Sequence, residues 1–146
     1  SLRPSSDVEG MSDGEKIFRK IIEPYKGRII YLDIWGTWCS PCKSNLKESW
    51  KVKEALKDYD IVYLYLCNRS SEESWKNVIK EYNLTGDNCV HYNLPEDQQA
   101  AIEHYVGISG YPTYKLIDKE GNIHDLHWLH ADDMQSFVDT IDKMSK

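Results

Sequence analysis

Cys39-Ser40-Pro41-Cys42 sets two thiols three residues apart. That spacing can close a small disulfide, hold a reactive dithiol or supply half of a metal site. The apolar run from Ile29 to Trp35 ahead of it reads as a buried strand, and the residues after it read as a helix. A thiol at the start of a helix lies beside unpaired backbone N–H groups and the positive end of the helix dipole, which favour the thiolate. Thiols in such places have pKa values of about 3.5–7.5 instead of about 8.5. Cys42, three residues on, falls on the same side of the helix as Cys39. It can therefore resolve a mixed disulfide formed at Cys39. Pro41 in the first turn gives up an N–H that the helix would not use, and it stiffens the motif.

The competing chemistry is zinc, which needs two further ligands, usually a second close pair. Cys67 and Cys89 stand alone and read as small half-buried hydrophobes. His124, His127 and His130 straddle a strand and the turn after it, where alternation sends the first two to opposite faces. No metal site is expected. Asp33, in the middle of the apolar run, is costly unless it has a partner or a task. A buried carboxyl has a raised pKa, which suits proton transfer near neutrality. A hydrogen-bonded structural aspartate is the other reading of it.

The elements that must position these residues are legible in the periodicity. Residues 1–11 are polar and read as a flexible arm or linker, with residues 12–146 as a single domain. Ser12 with Glu15 has the pattern of a capping box, opening a helix that ends at Glu23-Pro24. A helix is predicted from Lys43 to Lys57, carrying Leu46, Trp50, Lys53 and Leu56, with Trp50 in or beside the core. Residues 61–67 read as a core strand, with Tyr63 and Tyr65 as its only polar candidates. A helix capped by Ser70 or Ser71 follows, containing Trp75 as a core residue. Then come a short strand at 89–93, a helix from Pro95 through Tyr105, a strand from Thr113 to Ile117 and a turn at 118–122. A strand from Ile123 to about Trp128 and a helix from Ala131 to Met144 close the chain. Strands alternating with helices imply an α/β fold with a largely parallel sheet covered on both faces, and the final hairpin adds antiparallel strands.

The chain resembles the thioredoxin superfamily from about Lys26 to Met144. The resemblance is carried by Asp33, Trp35, Trp38-Cys39-Ser40-Pro41-Cys42-Lys43 and Gly107-Ile108-Ser109-Gly110-Tyr111-Pro112-Thr113. It is closer to the extracytoplasmic TlpA/ResA-like branch. The Trp35-Gly36-Thr37-Trp38 approach, the helix-strand-helix around residues 70–105 and the run Tyr114 to Gly121 point there. The resemblance implies a thioredoxin-like fold, a central mixed sheet flanked by helices. A helix-strand-helix is inserted between the second core strand and the strand after Pro112. It implies a nucleophile at Cys39, a resolving thiol at Cys42 and a proton acceptor at Asp33. It also implies a cis Tyr111-Pro112 bond against the motif, where the Tyr111 backbone can pair with an extended substrate. Trp38, Ser40, Pro41 and Tyr111 are the residues expected to meet substrate, with Trp38 as an exposed apolar rim. Two departures stand out. Asn45 occupies the place where many relatives carry a glutamate, and the strand from Ile61 to Cys67 has no lysine to pair with Asp33.

Composition bounds the function. The 146 residues carry a net charge of −6, which gives a nucleic-acid partner no electrostatic support. No apolar run is long enough to span a bilayer. The chain begins at Ser1, so a leader or upstream domain is expected to have been removed. The expected activity is thiol-disulfide exchange with protein disulfides, in the reductant direction. An upstream electron donor would be needed, but no cofactor beyond the Cys39–Cys42 disulfide. A monomer in the periplasm, or anchored to a membrane facing it, is expected. A redox-sensing module of a larger protein and a thiol peroxidase are the alternatives, the second disfavoured by a paired cysteine.

Overall fold

The computed structural model describes residues 1–146. Its centre is β1 (Ile29–Trp35), every residue of which is buried. Strand β2 (Ile61–Cys67) lies parallel to β1 on one side, and β3 (Cys89–Asn93) runs parallel to β2 beyond it. On the other side β4 (Thr113–Ile117) runs antiparallel to β1, and β5 (Ile123–Leu126) closes the hairpin. The order is β3-β2-β1-β4-β5. This is the expected mixed sheet, and the inserted unit is α4 (Glu72–Glu81), β3 and α5 (Glu96–Val106).

Strand alternation sorts the core into two layers. Tyr31 and Trp35 of β1 face one layer with Tyr63, Tyr65 and Cys67 of β2. That layer is covered by α2 (Ser40–Glu48), α3 (Trp50–Ala55), α4 and α6 (Met134–Met144) through Leu46, Val52, Trp75 and Phe137 among others. Ile30, Leu32 and Ile34 face the opposite layer, against Ile17 and Phe18 of α1 (Gly14–Ile22) and Ile102 and Val106 of α5. The two helices of this second layer touch closely. A Cβ on Gly14 would fall 2.1 Å from the Ala101 carbonyl oxygen, so the contact requires glycine there.

Three local expectations are corrected. Asp13, not Ser12, caps α1, its side chain accepting from the Lys16 amide at 2.9 Å. The helix predicted over 43–57 is broken in two at Ser49, whose hydroxyl donates to the Leu46 carbonyl at 2.7 Å and competes with the helical ladder. The break turns Trp50 outward, 61% exposed, while Val52 and Leu56 are buried. The last strand ends at Leu126, short of Trp128.

Residues 1–11, expected as a flexible arm, lie against the domain in this structure. The Arg3 amide donates to the His91 carbonyl at 2.8 Å and the His91 amide to the Ser1 carbonyl at 2.9 Å, so the segment borders the outer edge of β3. Val8 is fully buried, and the Gln98 side-chain amide donates to the carbonyls of Val8 (2.8 Å) and Met11 (2.9 Å). Backbone pairing and one apolar anchor do this, which the polar composition of the segment does not reveal.

Candidate active site

β1 ends at Trp35, and the turn Gly36-Thr37-Trp38 carries the chain into α2. The turn is pinned by the Cys39 amide donating to the Gly36 carbonyl at 3.1 Å. The Thr37 amide and hydroxyl both reach the Ser70 hydroxyl, at 3.1 and 2.9 Å. Cys39 is the N-cap of α2, and its sulfur accepts the Cys42 amide at 3.2 Å. A backbone N–H and the helix N-terminus thus converge on the Cys39 sulfur, where they stabilise a thiolate. Cys39 and Cys42 are joined in a disulfide with their Cα atoms 5.2 Å apart. Ser40 and Pro41, between them, are exposed.

Facing this loop is the Tyr111–Pro112 segment, whose peptide bond is cis. The rings of Trp38 and Tyr111 meet edge to face, 5.2 Å between centroids. Trp38 is 48% exposed, yet its indole N–H donates to the Asn68 carbonyl at 3.0 Å. Its ring lies 4.7 Å from the Arg69 guanidinium carbon. Beyond the ring pair, Pro112 and Thr113 line a groove of about 720 Å³ with Asn45, Tyr114, His127 and Trp128.

Asp33 is buried on the face of β1 that also carries Tyr31 and Trp35, the side on which Cys39 and Cys42 pack. It is 5% exposed, and its Oδ1 has no hydrogen-bond partner. Burial raises its pKa to about 7, against the opposing pull of the Lys53 ammonium. Lys53 answers the expectation of a missing lysine. β2 carries none, but Lys53 reaches in from α3 and shares with Asp33, Tyr31, Tyr63, Tyr65 and Tyr114 a cavity of about 10 Å³. Its ammonium lies over the rings of Tyr63 (5.2 Å) and Tyr65 (5.5 Å). Asn45, in place of an acid, donates its side-chain amide to the Tyr114 hydroxyl at 3.0 Å.

Of the cysteines and histidines outside the motif, only His127 borders the groove. Cys67 and Cys89 are both buried free thiols, and burial pushes the Cys67 thiol up to about 11. Cys89 has the Lys53 ammonium 3.5 Å from its sulfur. His124 pairs with Asp118 at 2.7 Å and His127 with the Trp128 carbonyl at 2.9 Å. No group of three or more His, Cys, Asp and Glu side chains is arranged to hold a metal ion.

Four residues around the site were not among the sequence candidates: Lys53, Asn68, Arg69 and Glu103. Glu103 of α5 is 6% exposed and accepts from the side-chain amides of Asn68 (2.9 Å) and Gln99 (2.8 Å) and from the Tyr111 hydroxyl. A signal for it was present. Gln99, Ile102, Glu103 and Val106 share the inner face of one helix by their three- and four-residue spacing. Two polar residues on such a stripe call for buried partners.

The geometry is matched by likeness to known proteins. A family model described as thioredoxin-like matches residues 27–123. The thiol-disulfide oxidoreductase ResA of Bacillus thuringiensis subsp. konkukian is 28% identical over 111 residues, 76% of this chain. This chain spans 59% of the length of that relative. Among solved structures, the thioredoxin domain of a thiol-disulfide oxidoreductase from Bacteroides vulgatus superposes with a TM-score of 0.68 at 27% identity, covering 86% of this chain and 84% of that one. The pneumococcal exposed lipoprotein thioredoxin of Streptococcus pneumoniae strain TIGR4 has a TM-score of 0.59 at 27% identity, covering 84% and 89%.

Proposed function

This chain belongs to the thioredoxin-like family, and from that premise we propose that it is a thiol-disulfide oxidoreductase that reduces disulfides in proteins. The observation that carries the reading is the Cys42 amide aimed at the Cys39 sulfur, at the N-terminus of α2 and within a closed Cys39–Cys42 disulfide. In the reduced protein the Cys39 thiolate attacks one sulfur of a substrate disulfide, and the other sulfur leaves as a thiolate. The Cys42 thiol then gives its proton to the Asp33 carboxylate. As a thiolate it attacks the Cys39 sulfur and expels the second substrate thiolate. Two electrons have passed to the substrate, and the Cys39–Cys42 disulfide remains for an upstream donor to reduce. A pKa near 7 suits Asp33 to take and release that proton close to neutral pH. Trp38, Ser40, Pro41 and the Tyr111–Pro112 segment form the surface on which the substrate chain lies, with residues 12–146 acting as one domain. No helix is long and apolar enough to cross a membrane. The likeness to a pneumococcal exposed lipoprotein thioredoxin supports a workplace outside the cytoplasm.

The test is insulin reduction by the chain with dithiothreitol as donor. Wild type should accelerate it, Cys39→Ser should abolish the effect, and Cys42→Ser should accumulate a mixed disulfide with substrate. A wild type no faster than Cys39→Ser would refute the reading. Direction is read from the equilibrium potential against glutathione. A value near about −270 mV marks a reductant and one near about −120 mV a disulfide donor.

A further inference from the structure

Glu103 is a carboxylate with little access to water, in the helix that the inserted unit contributes to the site. A charge placed there costs the fold more than an apolar side chain of the same size would. Its three donors lead to two places. The Tyr111 hydroxyl binds it directly, so one wall of the aromatic pair is tethered to α5. The Asn68 side-chain amide binds it at 2.9 Å, and Asn68 holds the other wall. The Asn68 carbonyl accepts the Trp38 indole N–H at 3.0 Å, and its side-chain oxygen accepts the Arg69 Nε at 2.6 Å, setting the guanidinium over the Trp38 ring. Trp38 and Tyr111 come from loops 73 positions apart in the chain, and one carboxylate fixes both.

We propose that Glu103 is a positioning residue of the exchange site, locking Trp38 and Tyr111 into one rigid rim that receives the polypeptide on either side of a substrate disulfide. This rests on the oxidoreductase reading. A polypeptide must lie along the rim to bring its disulfide to Cys39. A small disulfide need only reach the sulfur. Loss of Glu103 therefore weakens the use of polypeptide disulfides and leaves the intrinsic reactivity of Cys39 as it was. The inserted helix-strand-helix thereby acquires a task in substrate docking.

The experiment compares wild type, Glu103→Gln and Glu103→Leu on two oxidants of the reduced protein, insulin and 2-hydroxyethyl disulfide. For insulin, KM should rise about tenfold, as for the loss of one or two hydrogen bonds, with kcat nearly unchanged. The rate with 2-hydroxyethyl disulfide should stay within about twofold of wild type. The Trp38 indole N–H resonance, assigned by its disappearance in Trp38→Phe, should shift in both variants. If Glu103→Leu fails to fold, Tyr111→Phe removes the same contact from its other end and should raise the insulin KM. Unchanged insulin kinetics, or equal losses on both oxidants, would overturn the proposal. A wild type inert towards both oxidants would instead overturn the oxidoreductase reading beneath it.

Discussion

Asp33 stands directly across the β1–β2 ladder from Tyr65. On its other side, across the β1–β4 ladder, stands Tyr114. Register partners share a face of the sheet, so the carboxyl is walled by phenol rings. Burial pushes the Tyr65 and Tyr114 hydroxyls well above the usual phenol range, so both stay neutral. The only cation in the small cavity that Asp33 lines is Lys53, carried by α3. Phenol walls and one helix-borne ammonium thus set the charge state of Asp33.

Lys53→Met should therefore move the Asp33 titration upward from about 7, because the ammonium is what opposes burial. His91 should move upward too, since burial, with the Lys53 charge as a lesser contributor, holds its pKa down to about 4. Carboxyl carbon and imidazole chemical shifts followed against pH in the oxidised protein measure both. Midpoints that stay put, or that move in opposite directions, would refute the assignment of Lys53 as the governing charge.

Gly36 is where the Trp38 ring packs against the turn that leads into the motif. A Cβ built there falls 2.5 Å from the Trp38 Nε1 and 3.1 Å from the Asn68 carbonyl. Gly36→Ala should expel the indole from its hydrogen bond and lower stability by about 1–3 kcal/mol, the usual range for overpacking. Urea melts read the stability, and the Trp38 indole N–H resonance reads the displacement. A variant of wild-type stability with an unmoved resonance would show that the turn has room to spare.

Arg69 holds a left-handed backbone conformation (φ 43°), rare for a residue with a side chain. Its guanidinium over Trp38 and its bond to Asn68 help offset that strain. Arg69→Gly and Arg69→Ala both lose these contacts, but only glycine relieves the backbone. The glycine variant should be the more stable by about 1 kcal/mol in urea melts. An alanine variant of equal or greater stability would argue against the left-handed conformation.

The strands and the Cys39–Cys42 motif could be read from the sequence because each depends on local pattern. Ile29 to Trp35 is apolar apart from Asp33 since β1 is covered on both faces, and Cys39 needs only the end of β1 and the start of α2. The other parts depend on contacts that composition and periodicity do not show. The Ser49 hydroxyl donates to the Leu46 carbonyl where the helix breaks, and Trp50, next in the chain, faces outward. Glu103 is tolerable only because Asn68, 35 positions earlier, and Tyr111 meet it. Lys53 sat in the sequence at helical spacing with Leu46 and Leu56, but its role exists only because α3 lies over Asp33. Val8 and the backbone of Arg3 dock a segment whose composition is that of a linker.

Asp33 and His91 give the oxidised protein two opposing responses to pH. His91 is fully buried, stacked on Tyr65 with 4.4 Å between rings, and its Nε2–H donates to the Leu84 carbonyl at 2.6 Å. Its pKa is depressed to about 4, so the unfolded chain takes up a proton first as pH falls below about 6.5, and stability is lost on acidification. Asp33 has its pKa raised to about 7, so the folded state holds a proton that the unfolded chain has released. Its contribution is present below about pH 4 and is lost as pH rises through 7. Between roughly pH 4.5 and 6 each group contributes a slope of up to about 1.4 kcal/mol per pH unit, with opposite signs. Wild-type stability should therefore be nearly flat in that window. Asp33→Asn should uncover the histidine slope, becoming more stable as pH rises. His91→Phe should uncover the aspartate slope, becoming less stable as pH rises. The lost hydrogen bond to Leu84 lowers that variant's curve at every pH without tilting it. Urea melts of the three oxidised proteins at several pH values in this window decide the matter, and three parallel curves would refute the pairing.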